Sequence, residues 1–199
     1  ASLARPGGNV TGMYFLTSEL EGKRLGLLRE LVPKAELIAA LVNPTLSAHE
    51  LVLKDIEAAA RAAGQRVLIL QASSEGEIEA AFATVAQMRA AALLVGADPF
   101  FRTKLETIVA LAARHAIPAI YEARDFAVAG GLLSYGTSIA DSTRQVGIYA
   151  GRILKGEKPG ELAVQQSTRF EMAINLKTAK ALGLTIAPLM LAQADDVIE

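Results

Sequence analysis

Cysteine and tryptophan are absent from the 199-residue chain, and histidine occurs only twice. Without cysteine there can be no disulfide, thiolate nucleophile or cysteine metal site, and the redox compartment is left open between cytosol and periplasm. The two histidines fall at the ends of predicted helices, His49 in a first turn and His115 in a last turn, where surface placement is expected rather than metal ligation. An excess of one charge is also lacking: 20 basic residues face 21 acidic ones, so no electrostatic footprint for nucleic acid or an anionic membrane is present. The longest uncharged stretch, residues 126–140, is broken by Gly130, Gly131 and Gly136 and falls short of the roughly 20 apolar residues of a spanning helix. The opening ASLARPGGNVTG has no basic segment followed by an apolar one, so the chain reads as cytosolic or as one whose beginning has been removed.

Catalytic signatures are missing too. There is no G-x-G-x-x-G fingerprint, and GGNVTG at residues 7–12 neither follows a visible strand nor has the spacing. No phosphate loop and no H-E-x-x-H zinc motif occur, and Ser73 and Ser134 lack a nucleophile-elbow context. No cofactor and no metal site is expected. Asn9-Val10-Thr11 matches a glycosylation sequon but reads as a turn.

What is present is a chain that folds. A hydrophobic fraction of 52 % with 21 % charge is that of a packed globular protein, and the length suits one main domain. Short apolar runs at 37–43 (LIAALVN), 66–71 (RVLILQ), 92–96 (ALLVG) and 118–122 (PAIYE) alternate with helical patterns. The first helix is predicted over 18–31 with Leu20, Leu27, Leu28 and Leu31 as its apolar set. In the second, Val52, Ile56, Ala59 and Ala63 share a face, Ser47 with Glu50 has capping-box spacing, and Gly64 suits the left-handed end. The third repeats this grammar with Ser74 and Glu77 as the box and Ile78, Phe82 and Val85 buried. A fourth puts Leu105, Ile108, Val109 and Ala112 on one face and stops before Pro118, with Asp98-Pro99 marking its approach. Right-handed crossovers then give an α/β fold, a Rossmann-like three-layer lobe with a mainly parallel sheet and helices on both faces. Beyond Glu122 come a glycine-containing strand (GGLLSYG), a helix with Val146, Tyr149, Ala150 and Ile153 on one face, an extended segment at 168–175, a short helix ending at Leu182 and Gly183, and a last helix from Pro188.

In open parallel sheets ligands bind beyond the carboxyl ends of the strands. Those ends are polar here: Asn43-Pro44-Thr45, Gln71-Ala72-Ser73, Asp98-Pro99-Phe100 and Tyr121-Glu122. Singly each has a plainer reading, Asn43 as a turn former, Ser73 and Asp98 as helix caps, Glu122 as a solvated rim charge. Together, Asn43, Thr45 and Ser73 beside Asp98 and Glu122 suit a polar or zwitterionic solute whose ammonium pairs with the acids, with Tyr121 and Phe100 as an aromatic wall.

The stretches ARPGGNVTG, KRLGLLRELVP, LVNP, ADPFF, IPAIYEARDFAVAGGLLSYG and FEMAINLKTAKALGL with the following ADDVIE resemble, in order and spacing, the ABC-transporter substrate-binding proteins of the tryptophan/tyrosine-uptake type. The resemblance covers nearly the whole chain. It implies a type I periplasmic-binding-protein fold of two lobes closing on a ligand, secretion to the periplasm, and delivery of the solute to an ABC permease in the inner membrane, with no enzymatic activity. It further implies that this chain begins after most of the first lobe. One ligand-binding lobe is then expected over 11–133 plus 165–199, while the helix and turn at 138–160 belong to the otherwise missing lobe. Val146, Tyr149 and Ile153 would lose their cover, giving self-association through the 141–155 helix. Related amino-acid binders place an aromatic after the third strand and an acid after the fourth, which points to Phe100 or Asp98 and to Glu122, with Tyr135 and Thr137 lining the cleft where the chain crosses between lobes. Two rivals remain, the effector domain of a transcriptional regulator, separable by a DNA-reading head upstream, and an enzyme on a flavodoxin-like sheet.

Overall fold

The computed structural model describes residues 2–15 and 20–199. Its strands are β1 (Met13–Tyr14), β2 (Leu37–Val42), β3 (Arg66–Gln71), β4 (Ala92–Val95), β5 (Ala119–Tyr121), β6 (Leu133–Thr137), β7 (Gln165–Gln166), β8 (Phe170–Asn175) and β9 (Asp196–Ile198). Its helices are α1 (Glu21–Leu31), α2 (His49–Ala62), α3 (Glu75–Gln87), α4 (Pro99–Thr103), α5 (Leu105–Arg114), α6 (Arg124–Val128), α7 (Ile139–Leu154), α8 (Leu176–Ala181) and α9 (Pro188–Gln193). The chain divides into two compact units, Ala1–Leu16 with Thr137–Phe170, and Thr17–Gly136 with Glu171–Glu199.

The second unit is built on the sheet β3-β2-β4-β5-β6-β8-β9, in which β3–β2, β2–β4, β4–β5, β5–β6 and β8–β9 pair in parallel. Strand β2 carries no polar residue because both its faces are covered. Ile38, Ala40 and Val42 pack under Leu25, Leu28, Val52, Ile56 and Met190 of α1, α2 and α9. Ala39 and Leu41 turn the other way, onto Ile78, Phe82, Ile108 and Ala112 of α3 and α5. The parallel α/β reading of the sequence is thereby confirmed. Because β3 lies on one side of β2 and β4 on the other, the crossovers leave in opposite directions at the carboxyl ends of β2 and β4, the switch point at which open parallel sheets take their ligands.

Local chemistry sets the element ends. Ser74 caps α3 by accepting from the Glu77 N–H, and the Glu77 carboxylate returns to the Ser73 N–H (2.7 Å) and hydroxyl (2.9 Å). Gly64 takes a φ of +61° after α2, as its position after the helix requires. The expected Ser47–Glu50 box does not form: α2 starts one residue later, with Ala48 at the cap and no side-chain cap bond. Asp98 caps a separate five-residue helix, α4, accepting from the Phe100 and Phe101 N–H groups, so the single predicted helix here is two. Leu20 precedes α1 proper, and Ser18 lies outside the described residues. His115 is half-buried against Phe82 rather than on the open surface, and His49 is half-buried too.

The first unit pairs β1 with β7 in parallel, Met13 opposite Gln165 and Tyr14 opposite Gln166. The Thr11 hydroxyl donates to the Leu162 carbonyl (2.8 Å), so residues 11–15 and 165–170 group with 137–164 rather than with the strand-rich unit. On α7, Tyr149 is covered within the unit, its hydroxyl donating to the Ala163 carbonyl (2.7 Å), whereas Val146, Ile148 and Leu154 stay exposed.

Candidate functional site

Strands β2 and β4 end side by side, and the residues that follow are tied together. The Gly96 N–H donates to the Leu41 carbonyl (2.9 Å), and a Cβ on Gly96 would stand 3.1 Å from that oxygen, so the two strand ends approach tightly here. One step on, buried Asn43 donates through Nδ2 to Asp98 Oδ1 (3.1 Å) and accepts at Oδ1 from the Thr45 N–H (3.0 Å) and hydroxyl (2.9 Å). Asp98 Oδ1 also caps α4, receiving Phe100 N–H at 2.8 Å and Phe101 N–H at 3.3 Å. Three donors therefore converge on one carboxylate oxygen, and among the described residues Oδ2 has no partner.

Beside this lies a charged pair that sequence reasoning missed. Glu21 and Arg24, on the first turns of α1, are 0 % and 1 % exposed and form a two-point ion pair, Arg24 Nη2 to Glu21 Oε1 at 2.6 Å and Nε to Oε2 at 3.1 Å. Glu21 Oε1 accepts the Ala97 N–H (3.0 Å), and Arg24 Nη1 donates to the Tyr135 carbonyl (3.1 Å). The signal was in the sequence: residues 21, 24, 28 and 31 share one helical stripe, so these charges occupy positions that leucines hold further along.

Glu122 follows β5 and is partly buried. It makes no hydrogen bond or ion pair among the described residues, although Arg24 and Arg102 lie close enough to attract its charge. Burial pushes its carboxyl above the usual range, Arg24 and Arg102 pull it down, and Glu21 and Asp98 push it up again. Arg102 itself is held by Asp125 (2.8 Å), Lys104 by Glu75 (2.7 Å) and Arg124 by Asp196. These pairs join α4 to α6, the α4–α5 junction to α3, and α6 to β9. Gly136 packs against Glu122 so closely that a Cβ would sit 1.8 Å from the Glu122 carbonyl oxygen, which fixes where the Glu122 backbone can lie.

Of the nine residues marked in the sequence, Asn43, Thr45, Asp98, Phe100 and Glu122 gather at the carboxyl ends of β2, β4 and β5, with Phe100 half-buried on α4. Tyr135 presents its carbonyl to Arg24. Ser73 lies at the end of edge strand β3, engaged with Glu77. Tyr121 is fully buried, stacked on Phe126 at 4.7 Å, and burial raises the pKa of its hydroxyl, so its ring is a core element rather than a cleft wall. Thr137 belongs to the other unit, buried, its hydroxyl without a hydrogen-bond partner among the described residues. No group of three or more metal-ligating side chains occurs among the described residues.

A family model described as ABC transporter substrate binding protein matches residues 1–198. The chain belongs to this family. Two solved structures share the fold closely. A conserved domain protein from Vibrio cholerae is 24 % identical with a TM-score of 0.85, over 98 % of this chain and 65 % of its own. The ABC domain from Streptococcus pneumonia, solved in complex with L-Trp, is 26 % identical with a TM-score of 0.82, over 100 % of this chain and 68 % of its own. A periplasmic binding protein/LacI transcriptional regulator from Alkaliphilus metalliredigens is a weaker match, 13 % identical with a TM-score of 0.57 over 82 % of this chain and 64 % of its own. No curated protein matches. This member of the substrate-binding family thus spans about two thirds of the length of the solved structures it matches, and the regulator reading is the less favoured one.

Proposed function

We propose that this chain forms the strand-end half of a solute site, in a substrate-binding protein that captures a small ammonium-bearing solute and hands it to an ABC permease. The observation that carries this is the Glu122 carboxylate, partly buried yet without a hydrogen bond or ion pair among the described residues, next to the open Oδ2 of Asp98. A carboxylate removed from water calls for a cation with N–H donors. Nearby, Asn43 and Thr45 add polar groups and Phe100 an aromatic face. The L-Trp held by the Streptococcus pneumonia relative supports an amino acid or a related compound as the solute.

The proposed role is binding rather than catalysis, since among the described residues the site assembles carboxylates and capping groups without a nucleophile next to a base. Family membership supports solute closure between two lobes, docking on a membrane permease and residence in the periplasm as further parts of this proposal. Self-association through the exposed face of α7 is part of the same proposal, checked by the solution mass of the chain. Calorimetry against amino acids, aromatic acids lacking an amine and small organic acids tests the central reading. Saturable binding confined to amine-bearing compounds is expected; no binding by any class, or binding of amine-free acids alone, contradicts it.

A further inference from the structure

The Glu21–Arg24 pair has no role in the solute contacts above, yet it is the most deeply buried charge in the described residues and sits where those contacts are made. Burying two charges is expensive unless geometry and further hydrogen bonds compensate, and an apolar pair of the same volume is often as stable. Four leucines on the same helix, Leu25, Leu27, Leu28 and Leu31, show that α1 packs well without charge. The partners of the pair are therefore informative. Glu21 accepts from Ala97, the residue before Asp98, and Arg24 donates to the carbonyl of Tyr135. In the parallel β5–β6 register Tyr121 faces Ser134, so Tyr135 runs beside Glu122, and Gly136 touches the Glu122 carbonyl. One end of the pair thus reaches the Asp98 turn and the other the Glu122 segment.

We propose that Glu21 and Arg24 are the positioning pair of the solute site: Glu21 fixes the Ala97–Asp98 turn through the Ala97 N–H, and Arg24, bound to the Tyr135 carbonyl beside the Glu122 segment, places a buried positive charge near the Glu122 carboxylate. Neither touches the solute in this account, which rests on the reading of Asp98 and Glu122 as solute-facing groups. The charged groups around Glu122 are Arg24 and Glu21 from α1, Asp98 from the β4–α4 turn and Arg102 from α4. Arg24 exerts the largest attraction of these and outweighs the repulsion from Glu21, so the pair as a whole favours the ionised carboxylate against the effect of burial. Without it, Glu122 would keep its proton to higher pH and offer a solute ammonium less charge.

The test reads Glu122 directly, by following its side-chain carboxyl carbon resonance against pH in the full chain with no solute added. Glu21→Gln keeps an oxygen for the Ala97 N–H but removes a repelling charge, so the Glu122 midpoint should fall. The double variant Glu21→Gln/Arg24→Gln removes the stronger attraction as well, so the midpoint should rise above that of the native chain. Opposite shifts are the signature of charge positioning; two unchanged midpoints, or shifts of one sign, overturn it. Amide exchange in the native chain covers the case in which a variant does not fold. The Ala97 N–H should be as protected as the sheet amides although it lies in a turn, and exchange at loop rates overturns the role given to Glu21. Because no solute is present, a failed solute screen with opposite shifts rejects the functional reading and leaves the pair's role standing, and the converse separates them equally well.

Discussion

Glu122 carries a charge where the fold disfavours one. Burial raises its pKa above the ordinary 4.5, so the folded chain holds this proton more tightly than the unfolded chain, and the stability this group contributes is fully present below the unfolded midpoint and lost as pH rises through the folded one. The melting-temperature difference between Glu122→Gln and the native chain should therefore move in favour of the variant as pH rises above 4.5, levelling off above the folded midpoint of Glu122, as read by thermal melts from below pH 4.5 upward. A constant difference at every pH would contradict this. At Gly136 the limit is steric: a methyl group 1.8 Å from the Glu122 carbonyl oxygen cannot be accommodated, so Gly136→Ala should cost about 3 kcal/mol or more by urea denaturation. The position of Asp98 and Glu122 at strand ends was legible in the sequence because each follows a short apolar run of the parallel sheet. Glu21 and Arg24 were passed over although they fall on the leucine stripe of α1, since a charged pair at the start of a helix usually faces water. Tyr121 was misplaced because periodicity in a three-residue strand does not say which face a residue takes.

Helix starts separate what composition suggests from what geometry allows. Ser47–Glu50 and Ser74–Glu77 have the same spacing, but only Ser74 accepts the N–H three residues on. Ser74→Ala should cost about 1 kcal/mol, whereas Ser47→Ala should change stability by only a few tenths of a kcal/mol, both by denaturant unfolding. The neighbouring helices supply what the missing caps do not: Asp55 of α2 accepts the Gly22 N–H at the start of α1 (3.1 Å). Such a tertiary cap has no local sequence pattern. Strands were easier to read. Runs such as LIAALV and ALLV admit few alternatives once both faces are covered, and the observed β2, β3, β4 and β5 end within one residue of the predicted bounds. The split of the fourth helix into α4 and α5 was missed because Asp98-Pro99 reads equally well as the start of one helix or of two.

At the scale of the molecule, both apolar clusters lie within the unit Thr17–Gly136 with Glu171–Glu199. The other unit buries Tyr149 and Leu162 among the described residues and pairs two short strands. Regions with few buried apolar contacts open at lower free energy. Hydrogen exchange read by mass spectrometry should show amides of α7 and β7 exchanging well before those of β2 and β4; equal protection would contradict the assignment of two units of unequal stability. The sheet-bearing unit was legible as a contiguous alternation of strands and helices. The grouping of residues before 16 with 137–170 was not, because it depends on pairing between segments far apart in sequence. The functional account stands on one chemical claim, that the carboxylates of Asp98 and Glu122 hold a solute ammonium. Isothermal calorimetry comparing an α-amino acid that the chain binds with its counterpart lacking the amine, on the native chain and on Asp98→Asn, tests it most directly. Binding of the amino acid should weaken at least about tenfold, or roughly 1.4 kcal/mol, on loss of either the amine or the Asp98 charge; equal or tighter binding of the amine-free compound would contradict this.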